Sequence, residues 1–402
     1  MDVSIATVMF HLLCKNLLVC YGRRYTIRAS LTCNSLLFNK CISTTANQHS
    51  FTVSYLINSF GFSQKSALLA SKYLQFESPE RPDSIIALLK SHGFSETQIS
   101  KAIRCTPRLL GASIEKTILP KLEYFYSSGF SITELPQILS VCPIVLLRSL
   151  ENHIVPIFDY LSDLSKSREM TVAVIKRSPY LLLYDIDTCL VPKLNLLRDI
   201  GVSGSNIHML LCYWSRIFGA NSDTFRNTVE EVKDLGISPL SSHFVLAIVA
   251  KGFGRTKWEN KVNVFKRCGW SEEEVLAAFC KNPLFMTASK DKLMAVMDFL
   301  VNEMNMESSA IAKCPGLFVL SMKKTFIPRA TVFQFLLSKG LIDRKDTNLI
   351  TLFTYSEKDF LRKFVNSYDE APQLLKLYQE KLDHLKMKKT YVSKERDGVI
   401  VK

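Results

Sequence analysis

The chain has 402 residues, of which 47% are hydrophobic and 22% are charged. This composition is typical of a globular protein, and it excludes a disordered or collagen-like chain. Lys and Arg outnumber Asp and Glu by 51 to 37, so the formal net charge is +14. A surplus of this size favours partners that carry negative charge, such as nucleic acid, an anionic membrane or an acidic protein.

The N-terminal segment differs in composition from the rest of the chain. It contains no acidic residue from Val3 to Phe76, and Tyr21 to Ser50 is rich in Arg, Ser, Thr and Asn. This pattern predicts an organelle transit peptide over residues 1–46, ahead of a secretory signal or a plain disordered tail. These 46 residues hold five bases and one acid, so the remaining chain keeps a net charge of about +10. No apolar run reaches the length of about 18 residues that a membrane span needs.

Three sequence marks recur with a fixed period. A Pro followed by a Leu-rich pair recurs every 36 residues, at Pro107, Pro143 and Pro179. A second Pro, inside an apolar run, has the same spacing, at Pro120, Pro156 and Pro192. A Gly follows most of these runs, at Gly61, Gly93, Gly129, Gly201, Gly236, Gly269 and Gly340, and two units have Ser165 and Asn305 in its place. Such regularity predicts an array of repeated supersecondary units.

The later units carry the same marks in a weaker form. Ser215 and Ala250 stand where the first Pro would be. Pro283 and Pro315 restore the first Pro, and Pro328 restores the second. Eight or nine units of 32–36 residues therefore fill residues 54 to about 370.

The marks predict where helices begin and end. A Ser and a Glu or Gln three residues later follow the Gly in several units, as in Ser95–Gln98, Ser131–Glu134 and Ser271–Glu274. This is the capping box that starts a helix, and the Gly before it suits the left-handed end of the previous helix. The first Pro should end one helix and open a short one, and a third helix should begin near the second Pro. The predicted fold is an all-α, right- or left-handed superhelical solenoid over residues 50–375, followed by a basic, flexible tail over 376–402.

Three motifs recur in one shared register: x-P-x-L-L, h-P-x-h-x-x-L and h-G-h-S, where h is an apolar residue. In this combination the sequence resembles the mitochondrial transcription termination factor (mTERF) family. The stretches SPYLLLYDIDTCLVPKLNLLRDIGV and CPGLFVLSMKKTFIPRATVFQFLLSKGLI are especially similar to its plant branch. The resemblance implies an all-helical superhelix in an organelle. It also implies binding of double-stranded nucleic acid along a concave basic face, with a role in organellar transcription or RNA processing. The missing Pro at Ser215 and Ala250 predicts a distorted groove at those two units.

No set of residues predicts catalysis or a bound cofactor. Asp185 and Asp187 lie between two Pro marks, where a solvated loop is expected, and Lys251–Lys257 lacks the phosphate-loop pattern. The 11 cysteines include no C-x-x-C pair, and no His lies at zinc-ligand spacing from a cysteine pair, so no metal site is expected. The sequence therefore predicts a protein that is not an enzyme.

Several bases fall at matching positions of the repeats, measured from the first mark. Equivalent positions of a solenoid line up along one face, and a row of cations can follow a phosphate backbone. The predicted nucleic-acid-binding residues are Arg104, Arg108, Arg148, Lys176, Arg177, Arg216, Lys281, Lys290, Lys313 and Lys323. A protein that binds single strands needs exposed aromatic residues on which bases can stack. Most aromatic residues of this chain are instead predicted to lie on the buried faces of helices, including Phe125, Tyr126, Phe158, Phe299 and Phe335.

The leading hypothesis is a monomeric organellar protein that binds double-stranded DNA, or structured RNA, and regulates transcription termination. One alternative is an RNA-binding factor in intron splicing or transcript maturation. A second is a protein–protein scaffold, and a third is a single-strand RNA reader of the pentatricopeptide kind, which uses two helices per unit and no repeating Pro. A mitochondrion is preferred over a chloroplast because Arg23, Arg24 and Arg28 follow an apolar run.

Overall fold

The computed structural model describes residues 50–383, so the predicted transit peptide lies outside the described residues. Every regular element in this range is helical, and it contains no strand. The chain divides into two compact units, described over residues 50–227 and 228–383. Each unit is built of successive helical repeats, which confirms the predicted all-α repeat class.

The N-terminal unit follows the predicted order of elements in each repeat. Its α-helices are Phe51–Phe60, Gln64–Ser71, Glu80–Ser91, Glu96–Cys105, Leu119–Ser127, Leu135–Val141, Val155–Ser165, Arg168–Arg177, Val191–Asp199 and Gly204–Tyr213. Its short 3₁₀ helices are Pro107–Gly111, Pro143–Leu147, Pro179–Leu183 and Ser215–Gly219. Helix Ser222–Asp234 contains the boundary between the two units.

The C-terminal unit repeats this plan with more variation. Its α-helices are Ser242–Lys251, Arg255–Arg267, Glu272–Lys281, Lys290–Asp298, Ser308–Ala312, Ile327–Ser338, Leu349–Thr354, Glu357–Phe364 and 371–383. Its 3₁₀ helices are Pro283–Thr287 and Pro315–Val319. An aromatic cluster fills the core, in which the ring of Phe265 lies 4.7 Å from Trp270 and 5.2 Å from both Phe285 and Phe318.

The helix boundaries have the predicted capping chemistry. The Ser95 N–H donates to Gln98 Oε1 over 2.9 Å, and the Gln98 N–H donates back to Ser95 Oγ over 3.3 Å. The same reciprocal pair joins Ser271 and Glu274. The glycine that precedes the Ser takes positive φ, and at Gly93 φ is +82°. A side chain rarely adopts this conformation, so glycine favours the helix stop.

Two units lack glycine at this stop, and one of them differs from the prediction. Asn305 occupies the expected place with φ of +45°. In the other unit it is Lys166, not Ser165, that takes positive φ, at +55°. Ser165 is the last residue of helix Val155–Ser165, so the stop falls one residue later than the sequence alignment of the marks predicts.

The first Pro of each repeat opens a 3₁₀ helix, as predicted, and its two weak equivalents behave differently. Ser215 still opens a 3₁₀ helix, although it carries an N–H. At Ala250 no 3₁₀ helix forms, because helix Ser242–Lys251 runs through this position and a turn ending at Gly254, with φ of +98°, leads to the next helix. The short helix of the repeat is therefore kept at Ser215 and lost at Ala250.

The second Pro is preceded by a widened helical turn. The Leu119 N–H donates to Ile114 O, five residues back, in the turn before Pro120. A proline has no N–H for the carbonyl four residues before it, and the widened turn is the local adjustment. The same turn precedes three other prolines, in Leu150–Ile154, Ile186–Leu190 and Met322–Phe326. The α-helical part begins one residue before the Pro, as predicted, but helical structure begins about a turn earlier.

The fold continues beyond the predicted C-terminal boundary. Residues 371–383 form a helix, whereas a flexible tail was expected from 376. Leu374 and Tyr378, one helical turn apart, are both buried, and the Tyr378 ring lies 5.4 Å from that of Phe360. This apolar pair holds the segment to the fold. Residues 384–402 lie outside the described residues.

Candidate nucleic-acid interface

Side chains at equivalent positions of neighbouring repeats touch each other in the N-terminal unit. Arg177 and Tyr213 each lie two residues before the first mark of their repeat, and Arg177 Nη1 donates to Tyr213 Oη. The Arg177 guanidinium also lies 5.1 Å from the centre of that ring. Tyr180 and Arg216 each lie one residue after the mark, and the Arg216 guanidinium lies 4.5 Å from the Tyr180 ring centre. Equivalent positions of these two repeats are therefore adjacent in space, as a row of bases requires.

Half of the predicted binding residues are exposed and form no ion pair, hydrogen bond or cation–π contact within the described chain. They are Arg108 in the N-terminal unit and Lys281, Lys290, Lys313 and Lys323 in the C-terminal unit. Exposed cations without a carboxylate partner are available to phosphate groups. Lys116 and Lys324 share this exposure and lie four residues before the second Pro of their repeats, a recurrence that the sequence analysis missed.

Arg104, one of the predicted binding residues, donates hydrogen bonds to the preceding repeat. Its Nε donates to Phe60 O over 2.7 Å, and its Nη2 donates to Gly61 O over 3.3 Å. The guanidinium thereby satisfies carbonyls at the C-terminal end of helix Phe51–Phe60, where a cation also complements the helix dipole. Arg104 joins two repeats of the fold.

Lys176 and Arg148 are also engaged with their own chain. Lys176 Nζ lies 2.8 Å from Glu134 Oε1 and 6.0 Å from the Phe130 ring centre. The hydrogen bond from Lys176 holds the pKa of Glu134 at about 2, with further help from Ser131. Arg148 is half-buried, and its Nε is buried with no hydrogen-bond partner in the described chain. Neither side chain is a free surface cation.

A second set of bases, which the sequence analysis did not single out, links consecutive repeats. Each donates from the third helix of a repeat to the carbonyl end of the next repeat's 3₁₀ helix. We call these residues the inter-repeat donors: Arg81 to Gly111 O, His153 to Leu182 O, Lys193 to Phe218 O, Lys261 to Met286 O and Lys292 to Val319 O. They satisfy carbonyls that the end of a 3₁₀ helix leaves unpaired.

Lys193 shows the inter-repeat contact most fully. Its residue is only 3% exposed, and Nζ donates over 2.6 Å to both Phe218 O and Ala220 O. Arg329 occupies the matching position after Pro328, and its Nη1 donates to the carbonyls of Leu352, Phe353 and Tyr355. A base directly after the second Pro is common to Lys193 and Arg329, but Lys121 at the same place donates to Thr117 O of its own repeat, so this position alone does not predict the inter-repeat contact.

The weaker sequence candidates have structural explanations. Asp185 caps a helix by accepting from the Thr188 N–H over 2.9 Å. Among the aromatic residues expected in the core, Phe125, Phe158 and Phe299 are buried, whereas Tyr126 and Phe335 are only half-buried.

Within residues 50–383, no three His, Cys, Asp or Glu side chains are grouped so that they could hold a metal ion. No helix in the same range is long and apolar enough to span a bilayer.

The fold and the exposed bases define a basic, all-α helical-repeat protein. The mTERF family model matches residues 86–167 and 143–361, which together cover more than half of the chain. The chain therefore belongs to the mTERF family, whose members are organellar proteins that bind nucleic acid and regulate transcription. No curated protein matches the chain significantly.

Proposed function

We propose that this protein binds double-stranded nucleic acid in an organelle and regulates transcription there, without catalysing a reaction. The observation that carries the proposal is the set of exposed, unpaired bases at recurring repeat positions: Arg108, Lys281, Lys290, Lys313 and Lys323. The adjacency of equivalent positions at Arg177–Tyr213 and Tyr180–Arg216 supports alignment of such bases between repeats. Phosphates are the ligand that such cations suit.

The proposed role of the individual bases differs from the sequence prediction in one respect. The exposed bases contact phosphates directly, together with Arg177 and Arg216, which are exposed residues beside their tyrosines. Arg104, Arg148 and Lys176 act instead through the fold, because their cationic groups are already engaged or partly buried. The proposed target is duplex DNA, with structured RNA as the alternative, and the proposed compartment is the mitochondrion, with the chloroplast as the alternative.

The test compares two variants that each lose five positive charges, at different positions. The row variant replaces Arg108, Lys281, Lys290, Lys313 and Lys323 with Ala. The control variant replaces five exposed lysines outside these positions: Lys65, Lys72, Lys339, Lys345 and Lys358. Binding to duplex DNA, duplex RNA and single strands is measured at several salt concentrations, and each preparation is checked by a circular-dichroism melt.

We expect the row variant to lower the slope of log K against log salt by about 0.9 for each lost contact with duplex DNA. The loss should be similar for all DNA sequences, because phosphates carry no sequence information. The control variant should change the slope much less. Equal slopes for the two variants would mean that net charge, not the row, attracts the duplex. Stronger binding to single strands than to either duplex would overturn the proposal of a double-stranded target.

A further inference from the structure

The first complete helix pair of the described chain leaves an apolar ridge exposed. Helix Gln64–Ser71 buries only Ala67 and Ala70. Leu68 and Leu69 are 46% and 51% exposed, and Tyr73, just after the helix, is 57% exposed. Such grouped exposure of large apolar side chains marks an interaction surface more often than isolated exposure does.

The ridge has lysines at both ends. Lys65, Leu68, Leu69 and Lys72 have the spacing i, i+3, i+4, i+7, which places them on one face of the helix. Both lysines are exposed, and neither forms an ion pair with a carboxylate in the described chain. Seven residues of helix separate the lysines by about 10.5 Å along the axis. We call these four residues and Tyr73 the Lys–Leu ridge.

The next repeats show that leucine is not required at this position by the fold. Leu69 lies six residues after the capping Ser63, and the same place after Ser95 and Ser131 holds Lys101 and Gln137, both exposed. The terminal unit of a repeat array normally presents a polar outer face to water. Here helix Gln64–Ser71 has an exposed leucine where the equivalent helices of the next two repeats have exposed polar residues.

We propose that the Lys–Leu ridge docks an acidic amphipathic helix of a partner protein. The partner would place apolar side chains against Leu68, Leu69 and Tyr73, and carboxylates about seven residues apart against Lys65 and Lys72. Burial of the leucines supplies the attraction, and the lysine spacing selects the register.

The charges disfavour the other occupants of the ridge. The same ridge on a second copy would bring lysine against lysine, which is repulsive. Residues 1–49 of this chain hold a single acid, Asp2, and cannot pair both lysines. A helix that lies in a bilayer buries its apolar side chains about 5–10 Å deep. Half of Leu68 and of Leu69 is already covered by the protein itself, so this ridge is too shallow for that mode.

The test uses a synthetic helical peptide of alanine and glutamine in which Glu, Leu, Leu and Glu occupy positions i, i+3, i+4 and i+7. A second peptide has Lys in place of both Glu. Binding to the full chain is followed by fluorescence anisotropy of the labelled peptide. Two double variants are compared with the native chain: Leu68→Ser with Leu69→Lys, which carries the residues of the next repeat, and Lys65→Glu with Lys72→Glu.

We expect the native chain to bind the Glu peptide and not the Lys peptide. The leucine variant should weaken this binding at least about tenfold, since two apolar contacts are lost. The lysine variant should lose the Glu peptide and gain the Lys peptide, a swap that general unfolding cannot produce. Duplex DNA binding should be the same in the native chain and in a Leu68→Ser, Leu69→Gln variant, which adds no charge, so this result is independent of the proposed function.

Three results would overturn the proposal. One is undetectable binding of the Glu peptide, or equal binding to the native chain and the leucine variant. Another is binding of the native chain to vesicles of anionic phospholipid that the Glu peptide does not displace. The third is a dimer in sedimentation that the leucine variant abolishes. If the leucine variant does not fold, Leu69→Gln, the residue of the third repeat, replaces it.

Discussion

Lys193 and Arg108 are both cations of the same repeat array, but they face opposite environments. Lys193 is buried and donates to two carbonyls of the next repeat, whereas Arg108 is exposed and has no partner in the described chain. The first contributes to stability and the second is available to a ligand. Mutation of the two should therefore affect different measurements.

Replacement of Lys193 with Met should destabilise the N-terminal unit. The change leaves the carbonyls of Phe218 and Ala220 without their charged donor, and hydrogen bonds to charged groups contribute about 1.5–3 kcal/mol. We expect a loss of about 2–3 kcal/mol in urea unfolding. Arg108→Met is the matched control, and it should change stability by less than about 0.5 kcal/mol. Equal stability of the two variants would show that the inter-repeat donor has no stabilising role.

Because of Lys261, the stability of the C-terminal unit should depend on pH in the alkaline range. Burial lowers its pKa to about 8, with a smaller contribution from Lys257. Between about pH 8 and the ordinary lysine pKa of about 10.4, the unfolded chain holds a proton that the folded chain has lost. Stability should therefore rise with pH in this window, by at most about 1.4 kcal/mol per pH unit.

Lys261→Met should remove this rise. The measurement is the difference in unfolding free energy between the native chain and the variant from pH 7.5 to 10.5, in which other titrating groups cancel. A difference that stays constant over this window would contradict the lowered pKa.

The basic residues of the candidate site could be predicted from the sequence. Which of them are exposed, and which bond to carbonyls of the fold, could be predicted only in part. Repeat spacing correctly marked Arg108 and Lys281 as exposed bases. It could not reveal that Arg104 reaches Phe60 O, 44 residues earlier, because that contact depends on how far one repeat is offset from the next. Spacing gives the position of a residue within its repeat, and the offset between repeats decides which carbonyls its side chain reaches.

At the scale of the helix boundary, a side chain added at a glycine can cost free energy in two ways, through its backbone conformation and through a steric clash. Gly93 and Gly201 allow the two costs to be measured separately. Both have positive φ, at +82° and +90°. A Cβ at Gly93 would lie 3.0 Å from Ile132 O, whereas a Cβ at Gly201 would have no neighbour within 4 Å. Gly201→Ala should therefore cost only the conformational penalty of about 1–2 kcal/mol, and Gly93→Ala should cost more. Thermal unfolding of the two variants checks the order, and the reverse order would contradict this steric account.

The role of the prolines that open the 3₁₀ helices can be tested by substitution. Two repeats have Ser or Ala in place of this proline, so these two residues are the natural replacements. Ser215 opens a 3₁₀ helix and Ala250 does not. Pro143→Ser should keep the element and cost up to about 1 kcal/mol through the freer unfolded chain. Pro143→Ala should let helix Leu135–Val141 extend past residue 143. Amide hydrogen exchange at Val145 and Leu146 distinguishes the two, and identical protection in both variants would contradict a role for residue 143.

The order of helices was predictable because it rests on local chemistry. A capping Ser, a positive-φ Gly and a Pro without an N–H each act within one turn of chain, so the marks located most boundaries. The widened turn before Pro120 was not predicted, because a proline inside a helix can be accommodated in several ways. The helix over 371–383 was missed because the basic residues after it favoured a tail from 376, although Leu374 and Tyr378 form a buried apolar pair.

At the scale of the whole chain, the transit peptide predicted over residues 1–46 lies outside the described residues and stays a prediction. The basis is the acid-free composition with Arg23, Arg24 and Arg28. We expect N-terminal sequencing of the protein from purified organelles to begin between about residues 28 and 50. A protein that retains Met1, or one that is secreted and glycosylated, would contradict this prediction.

The inter-repeat donors all precede their 3₁₀-helix acceptors in the chain, so the array has a direction. Lys193 precedes Phe218 by 25 residues, and His153 precedes Leu182 by 29 residues. Until the next repeat has formed, the Lys193 ammonium lacks these carbonyl partners and stays hydrated. Each repeat therefore completes its contacts only once its successor has folded, which couples the folding of neighbouring repeats in one direction along the chain.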